Sequence, residues 1–180
     1  MINQKKPIEF LNPEKILDGL DLARDMVAAE FGSGSGGFAI PLSKKVEDGL
    51  VFAIDIQEAP LSALKSRYLL EKINNIRIIR SDIEKPRGST LKDVYLDLVL
   101  IINVLFQIGQ KDIFIAEAKR VLKKGGKLLI IDWLPQAEEG PAEGRIPPEL
   151  VKNIADELGF KLEKEFEAGK YHFCLIFAKP

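Results

Sequence analysis

The chain has 180 residues, of which 46% are hydrophobic and 29% are charged, and its formal net charge is −1. These values are ordinary for a globular protein, and without a global basic field nucleic acid is not an expected partner. One cysteine and one histidine exclude a disulfide framework and most cysteine- or histidine-based metal sites, so no bound metal is expected.

The length is suited to one domain over residues 1–180 rather than to two. The first thirty residues contain no cationic stretch followed by an apolar run. No apolar run approaches the roughly 18 residues of a membrane span. We therefore expect a cytoplasmic protein without a membrane span, either a monomer or a homodimer.

Strand and helix patterns alternate along the chain. Residues 1–22 are predicted to be a leader, with apolar contacts at Ile8 and Phe10, followed by a short helix that begins at Asn12-Pro13. Apolar strands are predicted at residues 25–30, 50–55, 76–80, 96–102 and 127–132, and helices at about 36–46, 59–74, 111–122 and 148–158. Residues 134–148, rich in proline, glycine and glutamate, are predicted to be a loop. The alternation predicts an α/β fold with a parallel sheet and helices on both faces.

The C-terminus breaks this alternation. Residues 161–167 (KLEKEFE) alternate charged and apolar side chains, a pattern typical of a protected edge strand. Residues 171–178 (YHFCLIFA) are apolar at nearly every position, as in a strand buried on both faces. The three residues between them are too few for a helical crossover, so an antiparallel hairpin is predicted, with its second strand inside the sheet.

A glycine-rich loop, EFGSGSGG at residues 30–37, follows the first strand and opens a helix. Glycine is needed where a backbone turns tightly and approaches a ligand without a Cβ in the way. Asp55 ends the second strand, where its carboxylate would accept hydrogen bonds from the two hydroxyl groups of a ribose. The loop and Asp55 together predict an adenosine site.

The glycine spacing fits two cofactors. Gly32, Gly34 and Gly36 match a methyltransferase loop, whereas Gly32, Gly34 and Gly37 match the dinucleotide fingerprint. Glu30 at the loop entrance favours a ligand with an ammonium group and disfavours a pyrophosphate. The lack of a second nucleotide-binding half and the terminal hairpin also favour S-adenosylmethionine over a nicotinamide dinucleotide.

Three stretches carry a resemblance to a known family: EFGSGSGGFAIPLSKKVEDGLVFAIDIQ, SDIEKP and EAKRVLKKGGKLLIIDW. They resemble successive motifs of the class I S-adenosylmethionine-dependent methyltransferases, and the chain is similar to small stand-alone members related to the ubiquinone/menaquinone biosynthesis methyltransferases. The resemblance implies a single Rossmann-like domain with a seven-stranded sheet in the order 3-2-1-4-5-7-6 and an antiparallel strand 7. It implies S-adenosylmethionine as the cofactor and S-adenosylhomocysteine as the product.

The same resemblance assigns roles to individual residues of the donor site. Glu30 would organise the methionine end of the cofactor, Asp55 would bind the ribose, and Asn103 would line the pocket of the donor methyl group. The full predicted set is Glu30, Gly32, Gly34, Gly36, Asp55, Ile56, Asp82, Ile83 and Asn103. Ile56 and Ile83 would enclose the adenine, and Asp82 would accept a hydrogen bond from the adenine amino group. A capping role on an exposed turn stays open for Asp82.

The acceptor end has weaker signals. His172 is the only side chain with a suitable pKa for a general base, but a structural role within its apolar strand is the favoured interpretation. Trp133 and Tyr171 are candidates for an acceptor pocket, with core packing the favoured alternative. Arg145 would suit an anionic acceptor if it were not simply solvated. The loop at residues 134–148 is a candidate cover for the acceptor.

Several absences favour a small-molecule acceptor and in-line methyl transfer. Asn103-Val104-Leu105 after the fourth strand is not a Pro-Pro-aromatic motif, and the lone Cys174 excludes a paired-cysteine mechanism. Because a sulfonium is already an activated leaving group, the missing catalytic triad is no objection. Two alternatives stay open: a nicotinamide-dependent oxidoreductase, and a catalytically silent cofactor-binding or RNA-associated module.

Overall fold

The computed structural model describes residues 11–180, so the contacts predicted at Ile8 and Phe10 lie outside the described residues. In chain order the elements are α1 (Pro13–Asp18), β1 (Val27–Phe31), α2 (Ala39–Lys45), β2 (Leu50–Asp55), α3 (Glu58–Leu70), β3 (Ile76–Arg80), β4 (Leu96–Ile102), a 3₁₀ turn (Leu105–Gln107), α4 (Lys111–Val121), β5 (Leu122–Trp133), α5 (Pro148–Glu157), β6 (Lys161–Ala168) and β7 (His172–Ala178). Within this described part, no helix is both long enough and apolar enough to cross a bilayer.

The strands form one sheet in the order β3-β2-β1-β4-β5-β7-β6. The pairs from β3 to β5 are parallel, whereas β7 is antiparallel to both β5 and β6. The predicted Rossmann-like sheet is confirmed, including the terminal hairpin with its apolar strand inside and its charged strand at the rim. Because β7 runs backwards, its first residue lies at the same edge of the sheet as the last residue of β5.

The two faces of the sheet are covered by different helices. On one face the sheet packs against Ile16 and Leu17 of α1, Leu42 of α2 and Leu64 of α3. On the other face it packs against α4 and α5, through apolar residues such as Ile115. Helices on both faces were the expectation for a parallel sheet, whose strands must be buried on both sides.

Two helix boundaries differ from prediction because of left-handed backbone. Helix α2 begins at Ala39 rather than near residue 36, since Gly36 has φ +83° and lies outside the helical region. Helix α3 ends at Leu70 rather than residue 74, because Lys72 has φ +55°. The first difference lengthens the glycine loop, which reaches three residues further before the helix begins.

Strand β5 begins five residues earlier than predicted, directly after α4. Leu96 pairs with Leu122 and Leu98 with Lys127, so the intervening residues 123–126 form a bulge on β5. Gly125 in this bulge has φ +77°. Gly125 and Gly126 therefore lie within the strand, at the point where its pairing with β4 is irregular.

A buried ionic network holds the β3–β4 crossover, which contains no helix. The carboxylate of Glu117 on α4, only 5% exposed, accepts hydrogen bonds from the backbone N–H of Ser89 (3.0 Å) and from Nε of Arg120 (2.8 Å). Arg120 also contacts Asp93 in the crossover. Burial alone would raise the pKa of Glu117, but Arg120 and Ser89 outweigh it and hold that pKa below its ordinary value. The network replaces the packing that a crossover helix would supply.

We expect Glu117→Ala to destabilise the protein by roughly 3 kcal/mol, because it removes the buried partner of the Arg120 guanidinium, which keeps the exposed Asp93 carboxylate as its ionic partner, and leaves the Ser89 N–H without its acceptor. Glu47→Ala is the matched control, since Glu47 pairs with Arg24 where both side chains are at least 60% exposed, and it should cost no more than about 1 kcal/mol. Urea unfolding of the two variants measures both values. Equal midpoints would show that the crossover does not depend on Glu117.

Candidate cofactor site

The three predicted glycines adopt left-handed backbone, each with its own spatial requirement. Gly32, Gly34 and Gly36 have φ of +74°, +51° and +83°. A Cβ on Gly32 would lie 2.6 Å from Cγ2 of Val104, and one on Gly36 would lie 2.3 Å from Cδ1 of Leu64. A Cβ on Gly34 would meet nothing within 4 Å. Gly32 and Gly36 are therefore needed for close packing, while Gly34 lies beside open space.

The end of β2 holds the glycine loop in place. The N–H groups of Gly32 and Ser33 both donate to the carbonyl of Ile54, at 2.8 and 3.0 Å. The N–H of Gly34 donates to Oδ2 of Asp55 at 2.8 Å, and Oδ1 of Asp55 accepts from Gln57 at 2.9 Å. Each oxygen of this half-buried carboxylate keeps a free lone pair, so Asp55 can hold the loop and still accept from a diol.

Glu30, the last but one residue of β1, is only 3% exposed, and its Oε2 has no hydrogen-bond partner among the described residues. Burial raises the pKa of Glu30 to about 8; a hydrogen bond from the backbone N–H of Ala39 opposes the rise and nearby Asp55 adds to it. A buried carboxyl with an unpaired oxygen is costly unless a ligand supplies the partner. The geometry thus fits a cationic group at the loop entrance.

A cavity of about 160 Å³ opens between the loops that follow β1, β2, β3 and β4. Its lining includes Gly32, Asp55, Ile56, Asp82 and Ile83, so the structure brings these predicted residues together. Ile56 is 56% exposed and Ile83 is buried, giving one open and one closed apolar wall. Such a shape suits a flat ring.

Asp82 has the capping role that the sequence left open, and it also lines the cavity. Its Oδ1 accepts from the N–H of Glu84 at 3.1 Å, and its Oδ2 lies 3.4 Å from Nζ of Lys85. The carboxylate of Glu84 in turn accepts from the N–H groups of Gly109 and Gln110, both at 2.9 Å, just before α4. Glu84 was not predicted from the sequence. It lines the cavity and accepts from backbone N–H groups more than twenty residues away, and no local sequence pattern indicates such a contact.

Asn103 follows β4 in a left-handed conformation, with φ +51° and its N–H bonded to the carbonyl of Ile131 at 2.9 Å. Its Oδ1 is buried without a partner. The next turn is held by Asp132 at the end of β5, whose fully buried carboxylate accepts from the N–H of Leu105 at 2.9 Å. Burial raises the pKa of Asp132 to about 6, against several backbone N–H groups that lower it.

Asp132 is a second residue that the sequence analysis missed. It lies within the quoted stretch that ends in IIDW, and its signal was an acid at the carboxyl end of an otherwise apolar strand. Ser33 is a third: its side chain is buried within the glycine loop and its Oγ has no partner.

The predicted acceptor residues lie, like the cofactor site, where the parallel strands end, but further along the sheet at β5 and β7. His172 pairs with Trp133 across β5 and β7, and the two ring centroids are 4.1 Å apart. His172 is 2% exposed, and burial lowers the pKa of its imidazole to about 4. Tyr171 is also buried, and its backbone carbonyl accepts from the N–H of Leu134 at 2.8 Å.

Arg145 has neither of the roles considered from the sequence. Its guanidinium donates to the backbone carbonyls of Pro141 (2.7 Å) and Glu139 (2.9 Å) and also to that of Ala137. With the carbonyl of Pro135 at 3.4 Å as the fourth acceptor, a side chain bonded to four carbonyls of its own loop is not simply solvated, and its donors are committed. Arg145 therefore shapes the loop at residues 134–148.

The residues fit S-adenosylmethionine by the chemistry of their unpaired atoms. Oε2 of Glu30, Oγ of Ser33 and Oδ1 of Asn103 are buried around the glycine loop and the end of β4, without partners in the part of the chain that the structure describes. These oxygens suit an amino acid, because its ammonium can donate to Oδ1 of Asn103 and to an ionised Glu30 and its carboxylate can accept from Oγ of Ser33, whereas a pyrophosphate has no N–H group to donate.

Comparison with known proteins supports the same cofactor. The family model described as Methyltransferase domain matches residues 29–130. A ubiquinone/menaquinone biosynthesis C-methyltransferase of Shewanella frigidimarina is 26% identical over 140 residues, covering 76% of this chain and 50% of the relative. Another, of Azotobacter vinelandii, is 28% identical over 106 residues, covering 58% of this chain and 41% of the relative. This chain thus spans half or less of the length of these two relatives.

Two solved structures show the same fold. A SAM-dependent methyltransferase from Aquifex aeolicus superposes with a TM-score of 0.84 at 29% identity, over 93% of this chain and 89% of that chain. The [4+2]-cyclase SpnF superposes with a TM-score of 0.80 at 13% identity, over 93% and 80% of the two chains, which shows the fold alone. The chain belongs to the class I S-adenosylmethionine-dependent methyltransferases. Membership implies S-adenosylmethionine as the donor and decides against the nicotinamide alternative.

The raised pKa of Glu30 predicts a loss of stability at alkaline pH. From its ordinary value of 4.5 up to about 8, the folded protein holds a proton that the unfolded chain has released, so stability falls as pH rises through this window. Glu30→Gln is neutral throughout, so we expect it to match wild type near pH 5 and to exceed it near pH 9. At roughly 1.4 kcal/mol per pKa unit, the gain should be of the order of a few kcal/mol.

Urea unfolding at the two pH values measures this gain, with the exposed Glu47→Gln as the matched control. Glu47→Gln should follow wild type at both pH values, because Glu47 is 60% exposed. If Glu30→Gln also follows wild type at both, the carboxyl is ionised in the folded protein and the buried, protonated state is wrong.

Proposed function

We propose that this chain transfers a methyl group from S-adenosylmethionine to a small molecule by in-line displacement and releases S-adenosylhomocysteine. The observation that carries the proposal is the set of buried, unpaired oxygens of Glu30, Ser33 and Asn103 beside a three-glycine loop. When bound, the cofactor supplies an electrophilic methyl group on a sulfonium. No covalent step is then required of the protein, whose task is to bind and align.

The donor residues divide this task along the edge of the sheet. Asp55 would accept from the ribose hydroxyls while it holds Gly34, and Ile56 and Ile83 would enclose the adenine in the cavity that they line. Asp82 would accept from the adenine amino group. Glu30 would face the ammonium group. Because Glu30 must release its proton to do so, cofactor binding would strengthen as the pH rises toward about 8.

A small molecule is supported by the loop at residues 134–148, which we propose covers the acceptor. Gly140 lies so close to the Trp133 ring that a Cβ would be 2.4 Å from Cε3, and Gly144 lies against the carbonyl of Phe106. Arg145 ties the loop to itself through backbone carbonyls. A loop folded against the end of β5 in this way leaves little room for a macromolecule.

We expect Asp55→Ala to weaken binding of S-adenosylhomocysteine by roughly 30- to 150-fold, since one or two charge-assisted hydrogen bonds worth about 2–3 kcal/mol are lost. Asp48→Ala is the control, because Asp48 is 63% exposed and pairs only with Arg24 among the contacts of the described residues. Isothermal titration of wild type and both variants measures the change. Wild type that fails to bind S-adenosylhomocysteine would contradict the donor site itself.

Transfer of a radiolabelled methyl group from S-adenosylmethionine tests the reaction. Label should appear in a small-molecule fraction and be reduced in Asp55→Ala. Label recovered only in RNA or protein would overturn the proposed acceptor class. Binding without transfer to any fraction would instead favour the silent cofactor-binding module.

A further inference from the structure

The series of buried, unpaired polar groups along the carboxyl edge of the sheet extends beyond the donor residues. Within residues 11–180, both ring nitrogens of His172 are buried and find no hydrogen-bond partner. A neutral imidazole carries one N–H donor and one acceptor, and buried groups of this kind are paired in the large majority of proteins. An unpaired imidazole therefore points to a ligand that completes it.

The position of His172 separates it from the donor. Glu30 lies on β1 and His172 on β7, with β4 and β5 between them. Adjacent strands are about 4.8 Å apart, so the two strands are separated by roughly 14 Å. Asn103 at the end of β4 is the last group assigned to the donor, and His172 lies two strands further on. A ligand that pairs with His172 would therefore lie beyond the residues assigned to the donor.

The surroundings of His172 are apolar and uncharged. The Trp133 ring packs against the imidazole on one side, and Ala168 pairs with it on β6. Two cations of this region are already paired: Arg145 donates to carbonyls of the loop at residues 134–148, and Nζ of Lys170, in the turn between β6 and β7, contacts the Glu138 carboxylate at 2.8 Å. With its pKa lowered to about 4, the imidazole itself is neutral at physiological pH. Among the residues that the structure describes, neither an anionic nor a cationic ligand would meet an opposite charge beside the imidazole.

We propose that His172 and Trp133 form the acceptor subsite, and that it takes an uncharged, largely apolar molecule whose hydroxyl group hydrogen-bonds to the imidazole. The inference rests on the proposed function, whose methyl acceptor it describes. His172 is a positioning residue in this scheme: it orients the hydroxyl through a hydrogen bond and takes no part in proton transfer. The subsite selects against charged acceptors because their desolvation would not be repaid.

The chain contains a single histidine, so labelling with ¹⁵N-histidine gives one imidazole to observe. Protein without a histidine tag, saturated with S-adenosylhomocysteine, is titrated with p-cresol. The matched probes are toluene, which lacks the hydroxyl, para-hydroxybenzoate, which is anionic, and tyramine, which is cationic. We expect p-cresol to shift the ring nitrogen signals and the three other probes to leave them in place.

The substitution His172→Phe keeps a ring and removes the hydrogen bonds. We expect it to raise the Kd of p-cresol about tenfold and to leave the affinity for S-adenosylhomocysteine unchanged. Cys174→Ala is the control, two residues along the same strand on the same face and buried in the core. It should change neither affinity. A merely structural histidine would not separate the two ligands in this way.

Imidazole signals that no hydroxyl probe moves, in protein that binds S-adenosylhomocysteine, would overturn the subsite and leave the proposed function standing. Equal responses to p-cresol and to either charged probe would overturn its selectivity. Failure to bind S-adenosylhomocysteine would remove the proposed function and the subsite with it. The titration of wild-type protein decides these outcomes even if His172→Phe does not fold.

Discussion

The contact between the glycine loop and the end of β2 is the constraint on which the site depends. Two successive N–H groups, from Gly32 and Ser33, converge on the carbonyl of Ile54, and the third, from Gly34, reaches the carboxylate of Asp55. With these three donors fixed to one strand end, the loop turns sharply, and Gly32 and Gly34 on either side of Ser33 adopt left-handed backbone. The same carboxylate that would bind a ribose thus also builds the loop beside it. Loop shape and ligand recognition are therefore not separable at Asp55.

Buried polar groups also collect where the parallel strands end, and the apolar core offers them no hydrogen-bond partners. Parallel strands end together, so Glu30 and Asp132 are brought into a layer that helices cover on both sides. Burial raises the pKa of both, yet their outcomes differ. Asp132 receives backbone N–H groups from the turn after β4 and becomes part of the framework. Glu30 keeps one oxygen unpaired, which makes it available to a ligand.

The sheet order could be predicted from the sequence because two strong patterns determine it. Apolar strands alternate with helices up to β5, and the charged β6 beside the apolar β7 leaves only one arrangement for the terminal hairpin. The start of α2 could not be predicted, since the left-handed φ of Gly36 depends on its packing against Leu64. Glu84 and Asp132 were missed for a related reason: their partners are backbone groups more than twenty residues away.

The proposed donor and acceptor residues differ in how clearly the sequence indicates them. A charged cofactor requires charged partners, and carboxylates such as Glu30 and Asp55 stand out where strands end. An uncharged acceptor requires only shape and a single hydrogen bond. In the sequence such a residue is indistinguishable from a core position, and His172 sits among apolar neighbours as a core histidine would. The role we propose for it rests on the burial of both nitrogens without partners in the described residues, and an unpaired group is a property of the folded environment rather than of the residue type.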